Sequence, residues 1–335
     1  MASNNNEEES NLAVNNYLDG MSIKELLETA EEYAIVDNLV GIDRAISARL
    51  ETGWKNGVPY EDMSVLIKDK SHNDLFRGFV IDVATKTNNQ EGYKSHDIAD
   101  GILTVAEDEN EKDTIRRYAL LNLRKQGSYN EKENINESRL LKIFNDNEAP
   151  DIVRGASITA MRRTGDPNFK IAISKVLSKP ENYNNETIRF TVTEASNAGL
   201  TQYLETIKTI TEATTDPEVY KSSILALGTF GNKEAIRAIV ASYNRFGEEN
   251  ICKYVLMHNL PVILSMLDAN ESNEIINDGI LAVQSIDYSS KANDALEKII
   301  NTTKDLSIKE KADDALNIIK ATPNADEFYS NWEVK

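Results

Sequence analysis

The stretch DTIRRYALLNLRKQG, residues 113–127, decides the fold, because close variants return as DIVRGASITAMRRTG at 151, ETIRFTVTEASNAG at 186 and EVYKSSILALGTFG at 218. Each opens on an acid, places a base three residues later, continues with small and aliphatic residues and ends on glycine. The acid–base pairs are Asp74/Arg77, Asp113/Arg116, Asp151/Arg154, Glu186/Arg189 and Glu218/Lys221, with a weaker member at Asn250/Lys253. The basic positions lie 39, 38, 35, 32 and 32 residues apart, a period that belongs to arrays of helical repeats.

Three residues after each base stand Val80, Ala119, Ser157, Val192, Ile224 and Leu256. Four after it stand Ile81, Leu120, Ile158, Thr193, Leu225 and Met257. Positions three and four apart share a helical face, so every copy presents a mostly apolar stripe at one phase. One such helix cannot bury its stripe, but stacked copies can. An acid in the first turn suits the helix dipole, and residues i and i+3 are surface neighbours. The spacing therefore predicts a structural ladder in which each base meets its own acid and the acid of the adjacent repeat.

Gly127, Gly165, Gly199 and Gly231 read as left-handed stops, each followed by a second amphipathic helix: 137–144, 168–177, 201–213 and 233–244. Helical rhythm continues at 261–267, 290–300 and 308–319.

The series resembles HEAT repeats of bacterial type over about residues 70 to 300, and Asp151, Arg154, Ile158, Gly165, Asp166 and Pro167 match that pattern best. The resemblance implies an all-α fold, a right-handed superhelix of stacked helix pairs whose second helices line a concave surface. The repeat from 250 onward departs from the pattern, with Pro261 where a turn is usual.

The expected organisation is an acidic, disordered lead at 1–16, a helical cap at 17–70, the repeats at 71–303, and a capping helix with an aromatic tail at 304–335. The cap opens with the capping box Ser22-x-x-Glu25. The tail carries Phe328, Tyr329 and Trp332, expected to fold back over the last helix pair or to serve as a docking peptide.

A formal net charge of −18 argues against nucleic acid, whose backbone demands cations. No apolar run is long enough to span a membrane. Cys252 is the sole cysteine, so no internal disulfide forms, and its helical setting reads as buried and inert. The Asn/Glu/Ser-rich lead is similar to the tether behind the lipidated cysteine of bacterial lipoproteins. Location is thus open between cytoplasm and an exported, lipid-anchored envelope scaffold.

Sequence chemistry is sparse. His72, His96 and His258 fall in separate repeats without an H-E-x-x-H pattern or the paired His-Glu metal site of some HEAT-like hydroxylases. No phosphate-binding glycine loop occurs. The acidic clusters at 107–113 and 145–151 lack EF-hand spacing and read as helix caps.

Charge is uneven. Thirteen bases face seven acids between 116 and 179, a basic island in an acidic chain. Arg139, Lys142, Lys170, Lys175 and Arg237 lie on second helices and are the binding candidates. The sequence thus predicts a non-enzymatic scaffold or adaptor, without cofactor or metal, that takes another protein or peptide, an acidic one if the island is the site. A HEAT-like DNA glycosylase is the remaining enzymatic alternative; it would require a basic concave track with aromatic residues and a carboxylate, whereas the island here is short and set in an acidic chain.

Overall fold

The structure, a computed structural model, describes residues 17–35, 45–49, 60–88, 96–123, 138–243, 245–286 and 289–321. The lead at 1–16, Gly127, the aromatic tail and much of the segment 36–59 lie outside the described residues. Among those described, all regular structure is helical, so the chain is all-α. It divides into two compact units, Met1–Ile173 and Ser174–Lys335.

The first unit contains α1 (Ile23–Ile35), α2 (Tyr60–Lys68), α3 (Asp74–Asn88), α4 (His96–Glu107), α5 (Asp113–Asn122), α6 (Arg139–Asn145) and α7 (Asp151–Thr164). The phrase helices α3, α5 and α7 pack in succession as one layer. In the other layer α2, α4 and α6 each pack on the phrase helix that follows. At the start of α1 the capping box closes both ways: Ser22 N–H donates to Glu25 Oε2 at 2.7 Å, and Glu25 N–H donates to Ser22 Oγ at 3.3 Å. Gly165 ends α7 at φ 76°, a backbone angle that favours glycine. Asp166, just after it, is buried and takes a hydrogen bond from the Ser138 hydroxyl and others from the Asn168 backbone (2.8 Å) and side-chain amide (3.0 Å). One carboxylate thereby ties the turn to the N-cap of α6. The boundary between the units falls within helix α8 (Phe169–Leu177).

The second unit contains α9 (Asn185–Asn197), α10 (Leu204–Ala213), α11 (Pro217–Phe230), α12 (Lys233–Ala241), α13 (Glu249–His258), α14 (Leu260–Met266), α15 (Asn273–Gln284), α16 (Ser290–Thr302) and α17 (Leu306–Ala321). Here α9, α11 and α13 pack in succession, while α12, α15 and α17 form the facing layer. Side-chain caps start α9, α11, α12 and α15, from Asn184, Asp216, Asn232 and Ser272. Gly199 and Gly231 adopt positive φ after α9 and at the end of α11.

The departure at Pro261 has a physical cause. Helix α14 follows α13 after the single residue Asn259, and Pro261 sits in its first turn, where a missing N–H costs nothing. The segment 261–267 therefore extends the first layer, and α15 is the helix that packs on α12.

The residues three after each base, Val80, Ala119, Ser157, Val192, Ile224 and Leu256, are all fully buried. Close crossings are made possible by Gly101 and Gly228: a Cβ on either would run into Ser64 of α2 or Val255 of α13.

Candidate functional site

The bases of the recurring phrase behave differently in the two units. Arg77 and Arg116 are almost fully buried. Their Nε atoms donate to Ile67 O and Ala106 O, each at 3.0 Å, and Arg154 Nε donates to Phe144 O at 3.1 Å. In all three cases the carbonyl lies ten residues upstream, in the last turn of the preceding helix, where carbonyls lack intrahelical partners. The arginine is thus a C-cap for its neighbour.

The expected pairing of each base with its own acid fails twice here. Arg77 reaches Glu111 at 2.6 Å, and Asp74 is held instead by Lys112 at 2.6 Å. Among the described residues Asp113 and Arg116 make no ion pair, because the guanidinium turns inward to its carbonyl. Arg154 does meet Asp151, at 3.3 Å.

In the second unit the charges form a chain. Arg189 pairs with Glu186 at 2.8 Å and lies 3.9 Å from Glu218; Lys221 joins Glu218 at 2.9 Å and Glu248 at 3.0 Å. These two acids raise the Lys221 pKa, chiefly through hydrogen bonds. The base side chains are about a third exposed, at 33% and 30%.

A cleft lies where α3 meets α5. It encloses about 370 Å³ and is lined by Leu75, Gly78, Phe79, Ile115 and Tyr118, with Asp74, Asp82 and Thr114 at its polar edges. Leu75 is 49% and Tyr118 39% exposed. A second cavity of about 650 Å³ shares Asp74 and Leu75 and adds Lys70, His72, Asn73, Asn110 and Lys112. Its floor is the buried Arg77–Glu111 pair. Lys70 grips Asp108 at 2.6 Å, and this hydrogen bond leads the causes that hold the Asp108 carboxyl below its usual value. His72 Nδ1 contacts Glu31 of α1 at 2.5 Å, and its ring lies 5.0 Å from that of Phe76.

The binding candidates on second helices are placed otherwise. Arg139 clamps Glu107 with two nitrogens, at 2.7 and 2.5 Å, and Asp100 with a third, at 2.6 Å. Arg237 holds Asp278 at 2.5 Å and also Glu274, and the hydrogen bond to Asp278 is first among the causes that raise its pKa. Both arginines join α6 to α4 and α12 to α15, respectively, so their charge is spent within the second layer. Lys142, Lys170 and Lys175 are exposed. The basic island is therefore partly an internal fastening.

Cys252 is buried, with its Sγ 3.3 Å from the hydroxyl of buried Tyr220, which also donates to Ser242 O at 2.7 Å. Burial is the main cause that raises the Tyr220 pKa. The acidic clusters act locally: Asp108 and Asp146 each accept a backbone N–H two residues on, at 2.9 Å. His258 Nδ1 meets Tyr254 O at 2.9 Å. Among the described residues no three His, Cys, Asp or Glu side chains gather as a metal site would require.

Sequence reasoning missed Gly78, Tyr118 and Glu111. The signals were present but faint: a glycine inside a helix, an aromatic off the apolar stripe, and an acid within a charged run.

No protein-family model matches the chain, and no curated protein does. A solved structure of human deoxyhypusine hydroxylase in complex with glycerol is similar at a TM-score of 0.35 and 14% identity, covering 78% of this chain and 95% of that one. That protein is an enzyme, so the expectation that the present chain is not one is corrected: paired helices and missing motifs do not exclude catalysis. The likeness itself is too slight to carry an activity across. Among the described residues no helix is long and apolar enough to cross a membrane.

Proposed function

We propose that this chain is a HEAT-like repeat protein of bacterial type that serves as a scaffold, binding another protein through the cleft between α3 and α5. The observation that carries this reading is the cavity of about 370 Å³ with Leu75 and Tyr118 exposed over it. Stacked helical repeats present extended surfaces for partners, and exposed aromatic and aliphatic groups around a concave patch are what partner anchors use. The basic second helices are a poorer site, since Arg139 and Arg237 already serve acids within the second layer.

The test is affinity capture from source-cell lysate with wild type and the double variant Leu75→Glu, Tyr118→Glu. Both side chains are exposed, so the variant is expected to fold. A partner retained by wild type and lost by the variant supports the cleft; equal recovery by both rules it out as the docking site.

A further inference from the structure

Resting on that reading, the nature of one residue identifies what the cleft accepts. Glycine inside a helix is costly, because it carries more conformational freedom to lose than any other residue. Gly101, Gly228 and Gly279 answer to packing: a Cβ on them would meet Ser64, Val255 or Met266 and Leu267 at or within about 3 Å. Gly78 is different. It lies inside α3, and the nearest atoms that a Cβ there would meet are those of the Tyr118 ring, at 3.5 Å, an ordinary van der Waals contact. Helix packing does not require this glycine, yet it lines the cleft.

We propose that Gly78 holds the cleft open for an apolar side chain of a partner segment that carries lysine or arginine on both flanks. The walls supply the apolar half of the argument, through Leu75, Phe79, Ile115 and the Tyr118 ring. The charge comes from Asp74 and Asp82, which stand eight residues apart on α3, about 12 Å along the axis, and which both line the cleft. Both acids are already engaged within the chain; the partner of Asp74, Lys112, has a side chain 71% exposed, and an exposed pair of that kind is weak enough to exchange for an incoming cation. The chain's net charge of −18 favours the approach of a basic segment at long range.

The experiment measures fluorescence anisotropy with three short labelled peptides, alike except at the centre and flanks: Leu-Phe between lysines, Leu-Phe between glutamates, and Ser-Ser between lysines. Each is titrated with wild type, Gly78→Ala and Gly78→Leu, and the melting temperature of each protein is recorded. The lysine-flanked Leu-Phe peptide is expected to bind wild type at least about tenfold tighter than the other two, and Gly78→Leu to weaken it by about tenfold or more, as filling a pocket by a few carbons does. Gly78→Ala is expected to raise the melting temperature by about 2–4 °C while weakening the peptide.

A lower melting temperature for Gly78→Ala would return the glycine to a packing role and overturn the proposal, as would peptide binding indifferent to Gly78→Leu. Tightest binding by the glutamate-flanked peptide would overturn the basic partner and leave the cleft as a docking site. Absence of binding by all three peptides overturns the proposal as well; if the Leu75→Glu, Tyr118→Glu variant still loses its captured partner, the broader reading survives, and if it does not, both fall.

Discussion

The same phrase performs two kinds of work in the two halves of this chain. In the first unit Arg77, Arg116 and Arg154 turn inward and cap the helix before them, and the residues four beyond, Ile81, Leu120 and Ile158, are fully buried. In the second unit Arg189 and Lys221 lie along the surface in a chain of carboxylates, and the corresponding Thr193 and Leu225 are exposed. At Arg189 the cause is traceable to chain length. Ten residues before Arg189 is Lys179, beyond the end of α8 and next to a short 3-10 turn at Pro180–Asn182. The carbonyl of a finishing helix is no longer at that position, and Arg189 Nε is left buried without a hydrogen-bond partner among the described residues. A few linker residues thus convert a buried cap into a surface ion pair there. Ten residues before Lys221, Thr211 does lie in the last turn of α10, but its carbonyl accepts from Arg245 instead.

The comparison breaks most visibly at the buried pair. Arg77→Ala leaves Glu111 charged and enclosed, and is expected to cost about 3–5 kcal/mol. In urea denaturation, Arg77→Met with Glu111→Leu should recover most of that loss, which separates the penalty of an orphaned charge from the worth of the pair. Next comes Arg116→Lys. An ammonium cannot reproduce the side-on Nε bond to Ala106 O, and a loss of roughly 1–3 kcal/mol is expected; Lys221→Arg, in the surface chain, should leave the urea midpoint unchanged.

The cap of α11 gives an intermediate effect with a pH signature. Backbone N–H groups, that of Val219 first, lower the Asp216 pKa below its usual value. A depressed carboxyl stabilises the fold above its unfolded pKa, and the benefit fades as pH falls through the lower folded value. Asp216→Ala is expected to cost about 1 kcal/mol at neutral pH. The gap in urea midpoint from wild type should close in acid, below the ordinary aspartate range. Smallest is Glu218→Gln, which removes the shared acid between Arg189 and Lys221: about 0.5 kcal/mol at low salt, vanishing at 1 M salt. A loss that persisted in salt would show the surface chain to be as structural as the buried caps.

Much of the architecture was legible because it rests on local spacing. The period of the phrase, the buried position three after each base, the capping box at Ser22 and the glycines at 165, 199 and 231 all follow from helical geometry and backbone angles. The ladder was legible only in half of the molecule. Asp74 and Arg77 look like neighbours at i and i+3, yet Arg77 pairs with Glu111, 34 residues away, because its guanidinium is turned inward to the Ile67 carbonyl and a buried charge must be paired where it lies. The basic island is a related case: Arg139 and Arg237 find acids 32 to 41 residues away, and those separations have no signature in sequence. The cleft was not legible at all, since Gly78 and Tyr118 come from different helices and neither belongs to the stripe.

By itself, then, the sequence determined that the chain is an array of paired helices and which face of each helix is apolar, since both depend on residues within a few positions of one another. Only the tertiary structure decided which charge meets which, where a helix end is capped by an arginine from the next helix, and where two helices leave a cavity between them. Those outcomes depend on distances across the stack, and a change of a few residues in a linker is enough to reassign them.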